Sequence, residues 1–142
     1  MSLSKVESAN FHEHMGNLFY AIAACDGEIH EFEVVQLKKL LKFHWLALDE
    51  VEDKLRAEDA CLITLAFEWQ VEKESNPLEC FEAFKNYKEQ HEEVFNDKIT
   101  YLVLNTAYSI ANAFEGVNEQ ELEMLRKLGK VFIKKILRLK EK

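Results

Sequence analysis

Apolar residues recur at intervals of three and four along most of this chain, the spacing of one face of an α-helix. Phe11, Met15, Leu18, Phe19, Ile22 and Ala23 form the first such stripe. Ser4 with Glu7 makes a capping box that opens it near Lys5. Asp26-Gly27 ends it, because glycine readily takes the left-handed conformation found just past a helix terminus. A second helix begins around His30, with Val34, Leu37, Leu40 and Leu41 on one face.

The middle of the chain is harder to read. Asp49 with Glu52 is another capping pair and predicts a short helix through about Ala57. Ile63, Leu65, Phe67, Trp69 and Val71 alternate like a strand, yet Leu62, Leu65, Ala66 and Trp69 also fit a helical stripe. No hairpin turn or second strand is there to pair with this segment, so it is read as helix. Asn76-Pro77 followed by Glu79 then supplies a cap, a helix-compatible proline and a first-turn acid. Phe81, Phe84, Lys88 and His91 place an aromatic-led face on the helix that follows.

Asn96-Asp97 begins the next helix, with Ile99, Leu102, Val103, Thr106 and Ile110 inward. A turn at Glu115-Gly116 separates it from the last, which Asn118 caps with Glu121 three residues on. Leu125, Leu128, Phe132 and Ile136 face inward there, and Gly129 is expected to permit a close helix contact.

Composition turns this pattern into a fold class. One proline and four glycines among 142 residues leave little of the turn chemistry that sheets require, and no flexible linker. With 48% hydrophobic residues the chain can bury one substantial core. The expectation is a single all-α domain over residues 1–142, a multihelical bundle.

Charge narrows the partners. A net charge of −8 argues against nucleic acid, whose phosphates repel an acidic surface. From Arg126 to Lys142, however, eight basic residues face one acidic residue. This amphipathic run suits an anionic membrane surface or an acidic protein partner through residues 130–142, and equally suits the last helix of a bundle, whose dipole favours cations at its C-terminus. Cys25, Cys61 and Cys80 are odd in number and far apart, with no Cys-x-x-Cys pair. They read as reduced thiols of a cytoplasmic protein. The N-terminal residues lack a signal-peptide core, and no uncharged run reaches the ~20 residues of a membrane span.

An internal repeat organises the helices. Sliding the chain by 88 residues aligns Tyr20–Lys42 with Tyr108–Lys130 without a gap, and nine of the 23 positions are identical. Composition alone gives about two. The identities are Tyr20/Tyr108, Ile22/Ile110, Ala23/Ala111, Glu31/Glu119, Glu33/Glu121, Leu37/Leu125, Lys39/Lys127, Leu40/Leu128 and Lys42/Lys130. Two pseudo-symmetric helix–loop–helix units, approximately residues 5–43 and 97–139, are therefore expected to bury their apolar faces against each other. Connecting helices fill approximately 49–94.

The segment Ala21-Ile22-Ala23-Ala24-Cys25-Asp26-Gly27-Glu28-Ile29-His30-Glu31-Phe32-Glu33 resembles the tellurite-resistance TerB-like family, in which a small-residue helix ends in Asp-Gly and a glutamate opens the next helix. Ser109–Glu121 is similar to that family's second hairpin. The resemblance implies an all-helical bundle, a link to tellurite or other chemical stress, and a divalent-cation site made by acidic residues. On the matched positions those residues are Asp26 and Glu33, with Glu121 the partner of Glu33. Glu28 and Glu31 could add charge. The second copy departs from the pattern, since Phe114 stands in the place of Asp26 and the glycine falls one position later. A second site there requires Glu115 to substitute.

Both readings of these acids stand on the sequence. Calcium, magnesium, manganese or zinc would take several of their oxygens as ligands. Alternatively, Asp26 shapes the turn and Glu33 and Glu121 cap their helices. Asp26 to Glu33 is too short for an EF-hand loop. His91-Glu92-Glu93-Val94-Phe95 begins like a zinc-binding His-Glu-x-x-His motif but ends in phenylalanine, and His12 and His14 point to different helix faces. No catalytic triad, phosphate-binding loop or dinucleotide motif occurs. The expectation is a non-catalytic module that binds a cation. Its rival is a metal-independent adaptor docking a protein through its acidic body or basic C-terminal helix.

Overall fold

The computed structural model describes residues 5–25, 27, 29, 31–47, 55–113 and 119–132, and all the regular structure among them is helical. Six α-helices follow one another: α1 (Lys5–Ala24), α2 (Glu31–Ala47), α3 (Leu55–Lys73), α4 (Pro77–Gln90), α5 (Asp97–Ala111) and α6 (Glu119–Val131). A single 3₁₀ turn, Glu92–Val94, joins α4 to α5.

Local signals set several of these boundaries. Asn76 is extended, and its side chain accepts a hydrogen bond from the Glu79 amide at 3.1 Å, with Pro77 opening α4. Asn96 does the same for α5, accepting from the Ile99 amide at 2.9 Å. These caps satisfy amides that the helix itself leaves without acceptors. Asn76→Ala is expected to cost about 1 kcal/mol, lowering the melting temperature by roughly 3–4 °C. An unchanged melting curve would show that the cap is dispensable. At the other end of α1, the Gly27 amide donates to the Ala24 carbonyl, and Gly27 has a φ of +132°, a region that side chains other than hydrogen rarely enter. The caps expected at Ser4, Asp49 and Asn118 lie outside the described residues.

α1 runs through the middle of the bundle and packs on α3, α4, α5 and α6. Residues 15–22 are buried on every side of the helix. α3 also packs on α2, and α5 on α2 and α6. Met15, Leu18, Phe19, Ile22, Leu41, Ile63, Phe67, Phe84, Val103 and Phe132 lie at the centre of the core.

Three expectations are corrected. No helix ends near Ala57; Asp49 and Glu52 lie outside the described residues, and Ala57 lies in α3, which runs without interruption from Leu55 to Lys73. No glycine or proline lies within it to break the helix. The inward face of α3 is Ile63, Thr64, Phe67 and Gln70, whereas Leu62, Leu65 and Trp69 of the expected stripe are exposed. Finally, Gly129 is not a close contact: a Cβ there would meet nothing within 4 Å. The close approach occurs at Gly16, where a Cβ would stand 2.5 Å from the Ala66 Cβ and 2.8 Å from the Phe67 nitrogen. α3 crosses α1 at that point.

Lys88 ties the last turn of α4 to the end of α6. It is buried on α4, donates to both carboxylate oxygens of Glu92 at 2.9 and 3.1 Å, and reaches the Val131 carbonyl at 3.2 Å. Its ammonium also lies 5.1 Å from the centre of the Phe132 ring. A cation on the last carbonyls of α6 is favoured by the helix dipole and needs the Glu92 charge to offset its desolvation.

Candidate functional site

Two open grooves meet at the bend between α1 and α2. One, of about 640 Å³, is walled by the end of α1 and the α3–α4 connection, including Tyr20, Gly27, Ile29 and Glu74. The other, of about 460 Å³, lies between the first turn of α4 and α6, with Leu78 and Met124 as its apolar parts and Glu119, Glu123 and Lys127 as its charges. Cys25, Asn76 and Pro77 line both.

The wall of the larger groove is built on a buried polar network. Gln70 Nε2 donates to Asn17 Oδ1 at 2.8 Å, and the Ser75 hydroxyl donates to Gln70 Oε1. The Cys80 thiol approaches the same oxygen at 3.8 Å. Tyr20 donates its hydroxyl hydrogen to the Ser75 carbonyl at 2.6 Å. Paired polar groups of this kind fix the α3–α4 connection on α1 in one geometry, because any other would leave a buried group unpaired.

Burial pushes the Cys80 thiol above its ordinary pKa; Lys73 opposes the shift and Glu79 adds to it. Burial likewise raises the Tyr20 phenol, reinforced by Cys80 and Glu74. Both groups stay protonated, so neither is prepared as a nucleophile. Cys25 is half-buried at the junction of the grooves and donates its thiol hydrogen to the Ile22 carbonyl.

The acidic residues singled out in the sequence are distributed as follows. Glu31 is exposed and Glu33 half-buried, both in the first turn of α2. Glu121 is buried in the first turn of α6. Asp26, Glu28 and Glu115 lie outside the described residues. Among the described residues, no three His, Cys, Asp or Glu side chains come together as a ligand set. The sequence reading missed Glu119, Glu123 and Glu74, which the fold brings to the grooves around the bend. Glu119 was visible only as the repeat partner of Glu31, and nothing in the sequence sets the α3–α4 connection beside α1.

His12, His14 and His91 take part in ring packing. His14 and His91 each stack on Tyr87, with centroids 4.4 and 4.2 Å away. Each Nδ1 lies against a backbone carbonyl four residues earlier, Asn10 at 2.7 Å and Tyr87 at 2.9 Å. His12 is buried with its ring edge-on to Phe11.

Among the described residues, no helix is long and apolar enough to cross a membrane. Residues 133–142, which carry most of the basic run, lie outside the described part. Comparisons with family models, with curated proteins and with solved structures returned no match for this chain.

Proposed function

We propose that the protein is a non-catalytic binding module of TerB-like architecture, whose first bend holds a divalent cation beside the two grooves. The observation that carries this reading is the meeting of both grooves at Cys25, immediately before Asp26-Gly27. Glu74 lines the groove on one side of the bend and Glu119 and Glu123 the groove on the other, with Glu33 in the first turn of α2. The link to tellurite or chemical stress rests on the resemblance alone.

The repeat supports the architecture. α2 packs on α5 and α6 packs on α1, the exchange that a twofold relation between the hairpins requires. Some repeat partners also share environments, although Tyr20 is buried and Tyr108 exposed. Ile22 and Ile110 are both buried, and the pairs Lys39/Lys127 and Lys42/Lys130 are both exposed.

A thermal titration tests the cation. For a cation present at 100 times its Kd, binding to the folded state alone adds about 2.7 kcal/mol, or roughly 8–10 °C. Asp26→Asn with Glu33→Gln is expected to remove that rise. A melting temperature indifferent to millimolar calcium, magnesium, manganese and zinc would sink the cation reading, and a rise that survives the double substitution would move the site.

One observation favours the adaptor instead. Leu62, Leu65 and Trp69 form an exposed stripe on α3, with the Lys73 ammonium 5.8 Å from the Trp69 ring. An adaptor of this kind holds its partner with all metal chelated, which separates the two readings.

A further inference from the structure

We propose that the groove between α4 and α6 is the seat of this chain's own basic run, residues 133–142, turned back along α6. The run follows directly on Phe132, the last described residue. It carries Lys134, Lys135, Arg138, Lys140 and Lys142 against the single acid Glu141, with Ile133, Ile136, Leu137 and Leu139 among them. A segment of that composition is best covered by a surface that is acidic and apolar at once.

The groove is such a surface. Glu119 and Glu123 are exposed on successive turns of α6 and line it, and Glu74 lines the adjoining groove. Lys127 is the one cation among the described lining residues. Glu123 has Arg126 at 3.8 Å in an exposed pair, a contact that a nearer cation readily replaces. Apolar cover comes from Leu78, 55% exposed on the first turn of α4, and from the buried Met124. The body as a whole also attracts the run, since residues 1–125 hold ten basic and 25 acidic residues.

The end of α6 allows the reversal. α6 closes at Val131, whose carbonyl accepts from the Lys88 ammonium. The Phe132 amide is shared between the Leu128 and Gly129 carbonyls, at 3.3 and 3.2 Å, the tightening typical of a last helical turn. The Phe132 ring is buried against Phe84 and Phe95 and fixes the point from which the run departs. Glu92, the acid at that point, is already bound to Lys88 through both of its oxygens.

Length permits the reach. Glu119 lies ~20 Å back from Phe132 along the helix, whereas the run when extended spans up to ~33 Å. The surplus suffices for a turn. A tethered segment acts at an effective concentration on the order of millimolar, so contacts too weak to hold a separate molecule can hold this one.

Zero-length carbodiimide coupling of the full chain, freed of divalent cations on a chelating resin, tests this by mass spectrometry of the monomer fraction. Lys134, Lys135 or Lys140 is expected to couple to Glu119 or Glu123, with a yield that falls several-fold between about 50 and about 500 mM salt. Lys134→Glu with Lys135→Glu should remove the coupling of Lys140 and leave the melting curve in place. Adding Glu119→Lys and Glu123→Lys to that variant should restore coupling between the exchanged positions. Absence of coupling overturns the proposal, as does coupling of the run to Glu92 or Glu93 in place of Glu119 and Glu123. So does coupling confined to crosslinked dimers, a yield indifferent to salt, or an exchanged variant that stays uncoupled. The inference does not rest on the cation reading, whose own test is the thermal titration.

Discussion

Gly16→Ala is expected to destabilise the protein by about 2 kcal/mol, a fall of roughly 6–8 °C in melting temperature, although alanine is the better helix former. The added methyl would lie 2.5 Å from the Ala66 Cβ, 2.8 Å from the Phe67 nitrogen and 2.9 Å from the Ala66 carbonyl carbon. Two of these three atoms are backbone and cannot rotate aside, so α3 must move away from α1. Overpacking of this kind costs about 1–3 kcal/mol, and contact with backbone puts this case at the upper end, against about 1 kcal/mol gained from helix propensity. The displacement would also stretch the Asn17–Gln70 hydrogen bond one residue along. Gly129→Ala is the control, because its methyl meets nothing within 4 Å. It should stabilise by up to about 1 kcal/mol. Denaturant melts of the two variants should therefore move in opposite directions, and movement in the same direction would discard the close α1–α3 crossing.

The contrast between these glycines shows where sequence reading stops. Both lie inside helices, and neither sequence neighbourhood says which one touches another backbone. The helices themselves were legible where one face is apolar and the other polar, as in α5, whose five named inward residues are all buried. α4 was legible from Asn76, Pro77 and Glu79. α3 was legible as a helix but not in its orientation. Apolar side chains occupy both of its faces, so the pattern could not choose between Leu62-Leu65-Trp69 and Ile63-Phe67. The choice is made by Gln70 and Thr64, polar residues that go inside because the fold supplies partners for them; Gln70 finds Asn17 and Ser75.

The candidate site divides along the same line. Its local half, the bend after α1, announces itself through Asp-Gly and the glutamates that follow. Its distant half does not. Asn76, Pro77, Glu119 and Glu123 reach the bend only because α4 and α6 both pack on α1, and contacts at sequence separations near 50 and 95 leave no trace in local spacing. Lys88 is a similar case. Its place on the aromatic face of α4 could be read from periodicity, but its reach to the Val131 carbonyl could not.

Phe95→Ala is expected to be the most damaging single truncation, at about 3–5 kcal/mol or roughly 10–15 °C in melting temperature. Phe95 is 1% exposed and sits in the irregular segment before α5, outside any regular helix. Its ring lies 5.8 to 6.2 Å from those of Phe132, Phe84, Phe11 and Tyr87, mostly in tilted or edge-to-face arrangements. Four elements thus converge on one side chain: α1, α4, the residue that follows α6, and the connection that carries Phe95 itself. Removing it leaves a cavity whose walls belong to helices already fixed elsewhere, by the α1–α3 crossing and by the Lys88 contacts, so collapse into the space is limited. The Phe132→Ala variant should cost a comparable amount, and the double variant less than the sum, because the two rings line one cavity. Urea melts of the three proteins measure this. Additive losses would mean that Phe95 and Phe132 do not share a cavity, and a loss below about 1 kcal/mol for Phe95→Ala would mean that the aromatic cluster does not hold the end of α6 to the bundle.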